Sequence, residues 1–201
     1  TVKNGSINYI KKIENKIDGK IYKNTTIINV LRKNREVILK SKDKLFAFDE
    51  VVLAIHSDQV LKILENPTVE EKKVFSKSHY VSNKIYVHSD IKLMPVNKKI
   101  WSSWNIKYSS INNHNKNKIS KPTVTYWMNL LQTLDNKCPI FITLNPDKKT
   151  IPDKIKTHEV FTFEHPVIDK FNLSLQRKFN IVQGSNRIWY TGAWQGYGFH
   201  E

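Results

Sequence analysis

"FDEVVLAIHSDQVLKILE", residues Phe48–Glu65, sets the architecture. Val51–Ile55 is the longest pure apolar run in the chain, and a strand pattern without alternation predicts burial on both faces. Ser57-Asp58 follows at once. Their side-chain oxygens suit a helix start, which predicts a helix over "DQVLKILE". A second helix, "VEEKKVFSK", is expected after Pro67-Thr68.

Upstream of this strand, "TTIINVLRK", "EVILKS" and "LFAFD" are short β-prone runs separated by polar turns, and they predict a small antiparallel meander. Before them, Gly5-Ser6 offers a helix start. Ile7, Tyr9, Ile10, Ile13 and Ile17 then recur near one helical face until Gly19. Downstream of Tyr80 the texture changes. "VSNKIYVHS", "IWSSWNI", "TVTYWMN", "IFITLN" and "HEVFTFEH" are five strand candidates rich in β-branched and aromatic residues. "SSINNHNKNKIS" between the second and third reads as an exposed hairpin loop. "PVIDKFNLSLQRKF" reads as a helix or a turn plus helix. "RIWYTG" is the last strand, and it feeds the glycine-rich ending "GAWQGYGFHE". The order predicts an α+β fold: a small sheet with helices, then a mixed, largely antiparallel sheet, then a return.

Composition narrows the function classes. The 201 residues carry a net charge of +15, with a mean hydropathy of -0.49. No run approaches the roughly 20 apolar residues of a bilayer span, so no transmembrane segment is expected. "TVKNGSINY" has no apolar core of the secretory kind. The chain does not begin with Met, and Thr1 reads as an internal position of a longer product. The single cysteine, Cys138, cannot form an internal disulfide, which favours a cytoplasmic setting. Of 33 basic residues only four are arginine, Arg32, Arg35, Arg177 and Arg187, and the lysines are spread evenly. Base and phosphate recognition favours the arginine fork, so no specific nucleic-acid partner is expected. Lysine rising with 20 asparagines and many isoleucines is what an AT-rich genome produces.

The seven histidines show no metal-ligand spacing, and no nucleophile elbow or phosphate-binding glycine loop is present. Aromatics are more informative. Trp101, Trp104, Tyr126, Trp127, Trp189, Tyr190, Trp194, Tyr197 and Phe199 fall on predicted strands or their ends. Tyr126 and Trp127 point to opposite faces of one strand, so core packing competes with an aromatic-lined pocket for a flat ligand.

"NGSINYIKKIENKIDGKIYKNTTIINVLRK", "FDEVVLAIHSDQ" and "GAWQGYGFHE" in that order resemble the flavin-containing amine oxidase superfamily. The blocks "SDIKLMP", "WSSWN", "VTYWMNLLQ", "FITLNP" and "FEHPVID" are similar to its bacterial predicted NAD/FAD-binding amine-oxidase-like subfamily. The resemblance implies three parts: residues 1–78 as a partial FAD-binding domain, 79–180 as a substrate domain, and 181–201 as the return to the FAD-binding domain. Family members open with a Rossmann β-α-β unit and continue beyond the glycine-rich turn. The chain is therefore expected to be the middle and late part of a flavoenzyme, inactive when isolated. Strands near Val51–Ala54 and Trp189–Thr191 should be close.

Carried over by residue, the resemblance implies that the Ile27 backbone meets the adenine and that Ala54 closes the buried strand beside FAD. Gly192 and Ala193 match, in inverted order, an Ala-Gly turn near the ribityl and pyrophosphate. Gly198 and Phe199 offer backbone N–H groups to the pyrimidine end of the flavin, and such donors stabilise an anionic reduced ring. Tyr197 matches an aromatic on the substrate side; the longer turn here leaves Tyr197 and Phe199 interchangeable in these roles. Lys84 matches a lysine that holds a water near flavin N5, against the plain alternative of a solvent-facing strand residue. The function implied is an FAD-dependent oxidoreductase that removes a hydride from a small or lipid-like substrate. The alternative is a non-catalytic basic binding module.

Overall fold

A computed structural model describes residues 5–108, 122–148, 150–167, 169, 173 and 176–196. In chain order the first elements are helix α1 (Ile7–Glu14) and strands β1 (Ile27–Lys33), β2 (Glu36–Ser41), β3 (Leu45–Phe48) and β4 (Val51–Leu53). Helices α2 (Ser57–Ile63) and α3 (Val69–Phe75) follow, then strand β5 (Tyr80–His88). Strands β6 (Trp104–Lys107) and β7 (Thr123–Trp127), helix α4 (Met128–Gln132), and strands β8 (Phe141–Leu144), β9 (Thr157–Pro166) and β10 (Ile188–Tyr190) complete the α+β fold. The chain divides into two compact units, residues 1–19 with 82–163, and residues 20–81 with 164–201.

The second unit holds the expected meander. β1, β2 and β3 form an antiparallel sheet in sequence order. Asn34, at φ 24°, makes the tight connection between β1 and β2, a backbone conformation that asparagine tolerates better than most residues. β4 pairs in parallel with β10, Val51 opposite Ile188 and Leu53 opposite Tyr190, so residues 137 positions apart meet as expected. The apolar run is not buried on both faces. Val51 and Leu53 are buried while Val52 is 61% exposed, because the two-stranded sheet packs only one side on the core. Helix α3 starts at a capping box: Thr68 accepts from the Glu71 amide and Glu71 from the Thr68 amide. α2 has His56 at its N-cap and no side-chain cap bond, unlike the expected Ser57-Asp58 cap.

One buried ion pair ties this unit together. Glu71, fully buried, accepts from Arg32 of β1 and from the Tyr190 hydroxyl of β10. Its other oxygen takes the Thr68 amide. Around this triad pack Val30, Val37, Val60, Val74, Phe75, Phe179 and Ile188.

In the first unit the strands lie in the order β6-β7-β8-β5-β9, with β5–β8, β7–β8 and β6–β7 antiparallel. One face holds a T-shaped group of Trp101, Trp127 and Phe141, and Tyr126 packs with Trp104 instead. Trp101 lies outside β6, held by its indole N–H donating to the Pro95 carbonyl at 2.7 Å. Buried polar side chains form a chain across three strands. The Asp90 amide donates to His88 Nδ1 (3.0 Å), so the ring proton sits on Nε2, which donates to Thr143 Oγ1 at 2.7 Å. Thr143 Oγ1 is in turn 2.8 Å from Thr125 Oγ1. Asn129 closes the loop after α4, bonding the Asp135 and Cys138 carbonyls and the Ile140 amide. Helix α1 buries none of its residues. The expected hairpin loop over "SSINNHNKNKIS" lies outside the described residues.

Candidate cofactor site

In a parallel strand pair both carboxyl ends open at one edge, and ligands of α/β sheets bind outside such ends. Here those ends bring together Ala54 and Ile55 after β4, and Thr191, Gly192 and Ala193 after β10. The ladder continues one step past the strands, the Thr191 amide donating to the Leu53 carbonyl at 3.1 Å. The free edge of β10 is closed by a side chain: Gln183 both donates to the Tyr190 carbonyl and accepts from its amide, at 2.8 and 2.9 Å.

Trp194 folds back over this edge. Its indole N–H donates to the Ile55 carbonyl at 3.0 Å, and the ring packs edge-on against Phe75 and Phe179. A Cβ at Gly192 would stand 2.4 Å from Trp194 Nε1. A second glycine has a similar role: Gly184, at φ +69°, lies under the Trp189 ring, 2.8 Å from a would-be Cβ. The flat groups that these two glycines approach are therefore tryptophans of the chain itself. Ala54 and Ala193 are exposed and small, leaving the outer side of the edge open.

Next to this edge sits a polar cluster that sequence reading did not single out. The His56 and Tyr80 rings stack, with centroids 4.4 Å apart and planes 12° apart. Tyr80 Oη accepts the Ser57 amide at 3.2 Å and lies 3.4 Å from Ser57 Oγ, which accepts from Ser78 Oγ at 2.8 Å. Burial pushes the Tyr80 pKa up, the Ser57 hydrogen bonds oppose it, and the charge of Asp58 adds to the rise. His56 Nδ1 is buried and has no hydrogen-bond partner. Such an atom costs roughly 1–3 kcal/mol when left unmatched, and a bound group would relieve it. The legible signal was a His-Ser pair directly after an apolar strand; its partner Tyr80 lies 23 residues on from Ser57.

Ile27 opens β1 and packs against the core of the same unit. Lys84 is in the other unit, exposed on β5, its amide bonded to Asn145 Oδ1 at 2.8 Å and its ammonium 5.5 Å from the Tyr86 ring centre. Tyr197, Gly198 and Phe199 lie outside the described residues. The structure thus brings together Ala54, Gly192 and Ala193. Among the described residues no group of His, Cys, Asp or Glu could hold a metal ion. No helix among them is long and apolar enough to cross a membrane.

No protein-family model and no curated protein matches the chain in sequence. Solved structures do match in fold. A CLA-producing fatty acid isomerase from P. acnes has a TM-score of 0.62 at 15% identity, over 94% of this chain and 47% of its own. A protein described as a protoporphyrinogen oxidase from Exiguobacterium sp. 255-15 has a TM-score of 0.57 at 11% identity, over 98% and 49%. Reduced UDP-galactopyranose mutase has 0.56 at 8% identity, over 92% and 45%. The chain spans about half the length of each. At these identities the likeness is one of fold, shared over nearly all of this chain.

Proposed function

We propose that the chain is part of an FAD-dependent oxidoreductase of amine-oxidase type, acting on a small or lipid-like substrate. The observation that carries this reading is the β4/β10 edge, where Ala54, Gly192 and Ala193 meet although 138 positions separate Ala54 from Gly192. Fold likeness to a fatty acid isomerase, a protoporphyrinogen oxidase and a reduced mutase supports it.

The residues fit a flat, polar cofactor at this edge. Ala54 and Ala193 leave room for a ring system, and His56 Nδ1 is available to a hydrogen-bonding group. The Tyr80 hydroxyl accepts from the Ser57 amide and shares a 3.4 Å contact with Ser57 Oγ, which places a hydroxyl pair beside His56. Bound FAD would supply the capacity to accept a hydride. Ile27 is proposed to meet the adenine through its backbone, and Gly198 and Phe199 to offer backbone N–H donors. Tyr197 is proposed to face the substrate. Lys84 is proposed to hold a water for proton handling. These four assignments, Ile27, Lys84, Tyr197 and the Gly198-Phe199 pair, rest on the resemblance.

A titration of the purified chain with FAD, read by flavin fluorescence, tests the reading. Weak binding is expected, because a chain about half the length of its structural neighbours supplies few of the charge-assisted hydrogen bonds, at roughly 1.5–3 kcal/mol each, that tight binding needs. Ala54→Trp should abolish it by filling the open edge. Fluorescence unchanged at millimolar FAD, or binding untouched by Ala54→Trp, contradicts the reading.

A further inference from the structure

Two loops of the first unit, residues 89–101 and 150–157, are joined at buried Asp90. Asp90 Oδ2 accepts the Asp153 amide at 3.0 Å, and the Ser89 amide donates to the Lys156 carbonyl at 2.9 Å. Each loop is built from short helical turns that start at an acidic or amide side chain. Asp90 accepts from the Lys92 amide, Asn97 from the Lys99 amide and Asp153 from the Ile155 amide, all at 3.0–3.1 Å. These bonds fix the backbone, and the fixed backbone turns aliphatic side chains outward. Val96 is fully exposed, Ile155 is 94% exposed, Ile100 63% and Ile91 48%. Between them stand Lys92, Lys98, Lys99, Lys154 and Lys156, all exposed.

Single exposed aliphatics are ordinary on protein surfaces. Five on two loops tied at one junction, with Ile151 at 48% exposure the fifth, interleaved with lysines, make a different surface. Two acids lie within it, buried Asp90, 3.9 Å from Lys156, and Asp153, against five lysines. The surface therefore combines net positive charge with apolar side chains that touch water. Amphipathic segments of this composition bind the interface of anionic bilayers, the aliphatics entering the headgroup boundary while lysines meet the lipid charge. A polynucleotide would match the lysines alone. These loops carry no arginine, and their one aromatic, Trp101, is held inward by Pro95 and Phe141.

We propose that residues 89–101 and 150–157 form a docking surface for an anionic lipid bilayer, with Val96 and Ile155 as the inserting side chains. The proposal does not depend on flavin binding. It is tested by sedimenting the purified chain with vesicles of phosphatidylcholine containing about 30% phosphatidylserine, at about 0.1 M salt, a concentration that screens distant charges but not contacts. The chain should bind these vesicles, and pure phosphatidylcholine about tenfold more weakly. The double variant Val96→Ser with Ile155→Ser should lose about tenfold in affinity, with an unchanged circular dichroism spectrum, since both side chains lie in solvent. Lys98→Gln with Lys154→Gln should weaken binding without touching the aliphatics. No binding to the phosphatidylserine vesicles would overturn the proposal. So would equal binding by the Val96/Ile155 variant, or displacement of the chain from vesicles by a single-stranded oligonucleotide with no difference between variant and wild type, which marks diffuse polyanion binding.

Discussion

The Tyr190 hydroxyl donates to Glu71 Oε1 at 2.5 Å, joining the last strand to helix α3 inside the second unit. Arg32 shares that carboxylate. Removing one partner of a buried ion pair leaves an uncompensated charge, at a cost of about 3–5 kcal/mol. Glu71→Ala should therefore lower the urea midpoint sharply, with the slope of the transition unchanged. A shift below about 1 kcal/mol would mean that the pair behaves as a solvent-exposed one.

The same contact predicts an alkaline limit. Burial pushes the Tyr190 pKa up, and the hydrogen bond and charge of Glu71 push it further. A group whose folded pKa lies above its unfolded value stabilises the fold below the unfolded pKa and loses that contribution as pH rises. Stability should fall as pH climbs past about 10, where the unfolded tyrosine begins to ionise. Tyr190→Phe should flatten the fall, as read by thermal melts between neutral and alkaline pH.

His88 sets an acid limit in the first unit. Burial lowers its pKa to about 4; the nearby charge of Asp90 opposes the shift and His158 adds to it. A proton on Nδ1 would also face the Asp90 amide that now donates to it. The folded pKa is depressed, so the neutral ring's contribution is complete above about pH 6.5 and is lost as pH falls toward 4. A displacement of this size corresponds to about 3 kcal/mol. His88→Gln should be less stable at neutral pH, yet lose less between pH 6.5 and 4. Parallel stability curves for the two proteins would refute this.

Much of the fold was legible. The β1–β3 meander needs only alternation and polar turns, and the helix after Pro67-Thr68 announces itself by its cap. Pairing partners were less accessible. Nothing local in Arg32, Glu71 or Tyr190 marks a triad, because topology chooses partners 39 and 119 positions apart. The five-residue run Val51–Ile55 misled on burial, since hydropathy cannot count the layers that will cover a strand and Val52 faces outward. "IWSSWNI" has strand composition, yet its first residues make a turn fixed by one indole hydrogen bond. At the candidate site, nothing local in the sequence marks Trp189 and Trp194 as the rings that lie against Gly184 and Gly192. His56 and Tyr80 gave no motif, only a juxtaposition.

Gly192→Ala probes that approach. Its φ of 161° is extended backbone, open to any residue, so the expected effect comes from contact alone. The new methyl would meet the indole and should push Trp194 off the Ile55 carbonyl. The loss of one buried hydrogen bond and of packing should cost about 1–3 kcal/mol, with a red shift in tryptophan emission. Unchanged emission and stability would show that the indole moves aside freely.

The most direct measurement of the proposed cofactor site is an amide chemical-shift map of the labelled chain titrated with FAD. The largest changes should fall at Ala54, His56, Thr191, Gly192 and Ala193, at the carboxyl ends of β4 and β10, with the side-chain signals of His56 moving in step. Changes confined to the lysine-rich loops of the first unit, or none at millimolar FAD, would contradict a flavin site at this edge.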